Sequence, residues 1–135
     1  LYAVALILNI LANNIYVLIF TLMLSLIFGA GAIFILAWNA SVIAAAIGIF
    51  AKNQLANLHM GFARYMVFHG LLEISAYFVA ALAGGILSSA IIKHDTQSEK
   101  FWSVIQDSLN LIIIAIGILF MAALIEVFIT PVLFN

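Results

Sequence analysis

The chain has 135 residues, of which 68% are hydrophobic and only 7% charged, with a net charge of −1 and a mean hydropathy of +1.35. Soluble domains carry about a quarter charged residues, so nine charged side chains cannot cover a water-soluble fold of this size, and an integral membrane protein follows. The near-neutral charge and the lack of a basic cluster give no support to nucleic-acid binding, and the absence of cysteine excludes disulfides and thiolate metal sites.

In chain order, residues 1–12 are apolar but too short to span a bilayer alone, and Asn13-Asn14 then interrupts. Adjacent amides are costly in lipid, so a boundary or a protein contact is expected there. Residues 15–38 form the cleanest span, charge-free and closed by Trp38 as an interfacial anchor. Thr21, Ser25 and Gly29 share one face of it at four-residue spacing, which admits a second helix at close range. The charge-free part of the next piece, residues 41–51, would be a helix of only about 16 Å. It reads as re-entrant, or as a full span if it continues towards Leu58, and its row of Ala40, Ala44 and Gly48 predicts packing on protein.

Residues 52–64 read as an exposed loop. The span that follows, residues 65–92, carries His69 and Glu73 one helical turn apart, then the small-residue row Ala76, Ala80, Gly84 and Ser88. Gly84-Gly85 predicts a local kink or a very close crossing. Residues 93–100 are the most polar stretch, and Thr96 with Glu99 resembles a capping box. Phe101, Trp102, Ile105 and Leu109 predict an interfacial helix, and residues 109–134 a last span carrying Glu126 and ended by Pro131. The expected fold is an all-α polytopic transmembrane helix bundle, with three spans plus a short or re-entrant helix. It forms one transmembrane domain over residues 1–135, and because the chain starts at Leu1 a further upstream span is expected. Lysine and arginine divide evenly between the two polar loops, so no orientation follows.

The intramembrane polar residues are the candidate functional set: His69, Glu73, Glu126, Asn39, Asn13 and Asn14. Buried carboxylates are expensive in lipid and face protein or water. Three readings stand open: a structural hydrogen-bonded cluster that fixes helix register, a proton or ion pathway, and metal or hydrolytic chemistry. His59 and His94 fall in loops and read as solvated. No His-Glu-x-x-His helix and no Gly-x-Ser-x-Gly elbow is present, so no catalytic residue, metal site or cofactor is assigned. The small-residue positions Gly29, Gly48, Ala76, Ala80, Gly84 and Ser88 read as helix-packing surfaces.

The succession Asn13-Asn14, a span, Asn39, His69-Gly70-x-x-Glu73, a small-residue run and Glu126-Val-Phe-Ile-Thr-Pro131 resembles the stage II sporulation protein M family from about Leu11 to Phe134. Ala40 stands where the family has glycine after the asparagine, and Phe68 where it has proline before the histidine. The resemblance implies a multi-pass membrane protein with an additional N-terminal span. In spore formers it implies a component of the engulfment machinery that anchors cell-wall hydrolases and does no catalysis itself. The expected function is therefore a scaffold or assembly subunit of a larger complex in the cell (plasma) membrane, the alternative a transporter or channel subunit using the intramembrane Glu and His residues. Expected partners are the lipid bilayer, other subunits or further copies of the chain, and a soluble partner at loop 93–107.

Overall fold

A computed structural model describes residues 2–29, 33–34, 37–42, 44–45, 48, 70–93 and 96–134. All its regular elements are helical: α1 (Tyr2–Phe28), α2 (Leu71–Lys93), α3 (Glu99–Leu124), a π-turn (Ile125–Ile129) and α4 (Thr130–Phe134). Residues 37–42 are helical as well. Three stretches are long and apolar enough to cross a membrane: Tyr2–Phe28, Leu71–Lys93 and Glu99–Val132.

The expected break at Asn13-Asn14 does not occur, and α1 runs unbroken from Tyr2 to Phe28. In lipid each broken backbone hydrogen bond costs several kcal/mol, whereas an asparagine inside a helix costs less than about 0.7 kcal/mol, so the helix carries the amides. The span expected over residues 15–38 instead ends ten residues before Trp38, at Phe28. Gly29 stops it: φ is +66° and its N–H reaches Ser25 O at 2.8 Å, the left-handed cap that glycine adopts without a Cβ penalty. Trp38 is exposed in the next helical stretch and stacks on Phe34 at 6.3 Å.

At the start of α3 the cap is Ser98, not Thr96. Ser98 has extended backbone (φ −79°, ψ 145°), and its hydroxyl accepts from Phe101 N at 3.2 Å, while Thr96 lies in the turn before it. Ser98→Ala should cost roughly 1 kcal/mol of stability, read as a lowered unfolding midpoint in detergent, with Thr96→Ala without effect. The expected interfacial helix and last span are one element: the sequence from Glu99 to Leu124 contains no proline, and the helix runs through Gly117. Pro131 does not end this helix either. It has no N–H to give to Val127 O and its ring would crowd that carbonyl. The turn before it widens, so that Thr130 N–H bonds to Ile125 O five residues back, and helix resumes through Phe134.

The helix α2 is the spine of the bundle. Of its apolar window 44% is buried, against 11% for α1 and 22% for the third span, and it packs on both while α1 and α3 meet more sparsely. The core comprises Leu18 of α1, Ala76, Tyr77 and Ala80 of α2, and Ala115 and Leu119 of α3. Phe101, Ser108, Ala115 and Ala122 recur every seven residues on α3 and are all buried, a period that keeps one seam against a neighbouring helix.

The direction of packing follows from paired positions. Asn14 meets Glu73 and Ser25 meets Gly84, a constant offset of 59 residues, so α1 and α2 run parallel. After the short turn near Ser98, α3 returns antiparallel to α2, with Ser108 opposite Ala83.

Candidate functional site: the intramembrane polar ladder

Four polar residues of the membrane-spanning segments, Asn14, Ser25, Glu73 and Ser108, bond from one helix to another. At one level the Asn14 side-chain amide of α1 donates to Glu73 Oε1 of α2, and Asn13 Nδ2 reaches Asn14 Oδ1 at 3.4 Å. Asn14 is buried, Asn13 exposed and Glu73 half-buried. Tyr77, one turn further along α2, is buried at 3% exposed. An amide donating to a carboxyl oxygen lowers the cost of holding that group away from water, which is why the pair sits between two helices and not against lipid.

Two further steps follow towards the turn at Ser98. Ser25 of α1 donates to the Ala81 carbonyl of α2, and Ser108 of α3 donates to the Ala83 carbonyl at 3.2 Å. Both hydroxyls bond to helix carbonyls that already accept within α2, which is possible because a carbonyl has two lone pairs. Each bond needs the helices close, and small residues provide the space. A Cβ built at Gly84 would stand 2.8 Å from Ser25 Cβ and 2.9 Å from Leu22 O. Gly84 thus serves a very close crossing, and Leu71–Lys93 remains one helix through it. Ala76 and Ala80, both 0% exposed, and Ser88, buried, continue the same row as Gly84.

The other expected packing positions lie elsewhere. Gly29 is exposed and serves as the cap of α1, its carbonyl lying 3.6 Å from where a Gly85 Cβ would stand. Ala40, Ala44 and Gly48 are exposed, and among the described residues nothing lies within 4 Å of a Gly48 Cβ position.

Of the six polar candidates, the structure joins Asn13, Asn14 and Glu73. Asn39 is half-buried in the helical stretch 37–42. Glu126 is half-buried in the π-turn, with Oε2 shielded, and that turn touches α1. From the Ser108–Ala83 contact, at 1.5 Å per residue, Glu126 lies about 12 Å beyond the level of Glu73, so the two carboxylates occupy different levels. His69, together with His59, His94 and the loop 52–64, lies outside the described residues. Among the described residues no three His, Asp or Glu side chains converge as a metal site would require.

Tyr77 and Ser108 escape a reading based on charge and small-residue spacing. The period of seven through Phe101, Ser108, Ala115 and Ala122 is the signal that points to Ser108; Tyr77 has the turn spacing from Glu73 but nothing else to mark it.

Neither the curated proteins nor the solved structures hold a match to this chain. The family model for stage II sporulation protein M does match, over residues 2–131, which takes in all three candidate spans nearly to their ends and both carboxylates. This multi-pass membrane protein therefore belongs to the stage II sporulation protein M family.

Proposed function

We propose that the chain is a non-catalytic scaffold, an assembly subunit of a larger complex in the cell membrane. The observation that carries this reading is the use made of the intramembrane polar atoms. The Asn14 amide and the Ser25 and Ser108 hydroxyls each link one helix to another, and α2 receives all three bonds. Groups used in this way fix register and separation, which suits a rigid platform. Among the described residues the exposed charged side chains, Lys93, Glu99, Lys100 and Asp107, gather at the end of the bundle that holds the turn between α2 and α3. That end is the proposed contact for a soluble partner. Family membership supports an assembly role, since spore-forming relatives act beside cell-wall hydrolases, but the sporulation role itself does not come with the fold.

The test is recovery from native membranes in mild detergent. Association with other subunits or further copies is expected, and it should weaken when Lys93, Glu99 and Lys100 are replaced together by alanine. A lone monomer with no copurifying protein would remove the scaffold reading. A transporter or channel subunit is the second reading, favoured by Glu126 with its shielded oxygen in a π-turn, a feature that recurs at functional sites. Proteoliposome flux that persists in both Glu73→Gln and Glu126→Gln excludes a role for these carboxylates in transport.

A further inference from the structure

We infer that α1 and α2 cross the bilayer in the same direction, so that the chain between Gly29 and Gly70 returns to the side from which α1 started and the total from Tyr2 to Val132 is even. The turn between α2 and α3 then faces one side of the membrane, and the Tyr2 end and the Val132 end face the other. The ground is the parallel packing of α1 and α2. Asn14 with Glu73 and Ser25 with Gly84 hold one offset along the pair, and an antiparallel pair would hold a constant sum instead.

Each of the two helices is long enough to cross. At 1.5 Å per residue α1 measures about 40 Å and α2 about 34 Å, against a hydrocarbon core of about 30 Å. The same offset places Gly70 level with Leu11 of α1, so Gly29 and Gly70 stand about 27 Å apart along the bundle axis, close to the whole thickness of the core. Two helices that cross in the same direction, joined in one chain, need a compensating crossing between them. A re-entrant excursion that returns to its own side would leave Gly29 and Gly70 on one face and require α1 and α2 to be antiparallel. The short apolar piece that the sequence leaves open between a re-entrant helix and a full span falls in this connection.

The topology also separates two features. The exposed charges around Ser98 lie on one side, and the Asn14–Glu73 level lies towards the other, where Glu126 and both ends of the described chain are found.

The chain contains no cysteine, so single-cysteine reporters need no background removed. Thr96→Cys and Tyr2→Cys are each labelled in sealed vesicles with a membrane-impermeant maleimide, before and after detergent. The expected result is labelling from opposite sides: vesicles that protect one position expose the other. Labelling of both from the same side overturns the inference. A protease site inserted after Arg64 gives a second readout. Cleavage from the side that labels Tyr2→Cys supports it, and cleavage from the opposite side overturns it.

Discussion

Replacing Gly84 with alanine should lower the stability of the bundle by roughly 1–3 kcal/mol, the range for overpacked positions, and Gly84→Leu should separate α1 from α2. The reason is geometric. The added carbon would stand 2.9 Å from Leu22 O and 3.3 Å from Leu26 N, backbone atoms of α1 that cannot turn aside as a flexible side chain could. Relief requires α1 to move outward as a body, and that motion lengthens the Ser25 bond to the Ala81 carbonyl and loosens the Asn14 contact with Glu73. The measurement is a thermal or denaturant unfolding series in detergent, with two controls. Gly85→Ala, whose Cβ would meet its nearest neighbours at 3.6 Å, should be nearly neutral. Gly117→Ala, with nothing within 4 Å among the described residues, should be neutral or gain up to about 1 kcal/mol from helix propensity. Equal losses at Gly84 and Gly117 would show that the close crossing is not what the glycine serves.

The row Ala76, Ala80, Gly84, Ser88 was legible because small-residue spacing in an apolar helix reports a packing surface whatever the partner. What the spacing does not carry is the partner's direction. Small residues on α1 and α2 are compatible with parallel or antiparallel packing, and only the pairing of Asn14 with Glu73 and Ser25 with Gly84 decides it. The span limits failed for a different reason. In water Asn13-Asn14 would be a turn signal, and in lipid the same residues are held in a helix by the cost of freeing backbone groups. Conversely Gly29, which the spacing assigned to a packing face, is where the helix stops, since a positive φ leaves no mark in a hydrophobicity pattern. Ser98 and Thr96 could each cap α3 by residue type, and position relative to the first helical turn chose Ser98. Glu73 stood out as a carboxylate in an apolar span, but its partner across the bundle could be any of several asparagines. The structure selects Asn14, because the parallel offset that seats Ser25 against Gly84 also seats Asn14 against Glu73.

That selection leads to the second large effect, at the Asn14–Glu73 pair. Glu73→Leu should destabilise the bundle by about 1–3 kcal/mol, because Asn14 is 4% exposed and its amide would be left without the carboxyl oxygen it now meets. Asn14→Leu should cost a comparable amount by leaving that carboxyl oxygen without its amide donor. The informative protein is the double variant Asn14→Leu/Glu73→Leu, which removes both ends and substitutes two apolar side chains at the α1–α2 contact. If the bond joins the helices, the double variant loses less than the sum of the single losses, with a coupling of roughly 0.6–2 kcal/mol, the range found between polar side chains of membrane helices. Additive losses would mean that each residue acts through other neighbours and that the pair does not hold α1 on α2. The scaffold and transport readings also part here. A scaffold whose polar atoms serve register should keep its assembly in the apolar double variant while losing it in Glu73→Leu alone. A pathway that uses the Glu73 carboxyl to carry a proton or ion fails in both, because an apolar replacement restores packing but not an exchangeable group.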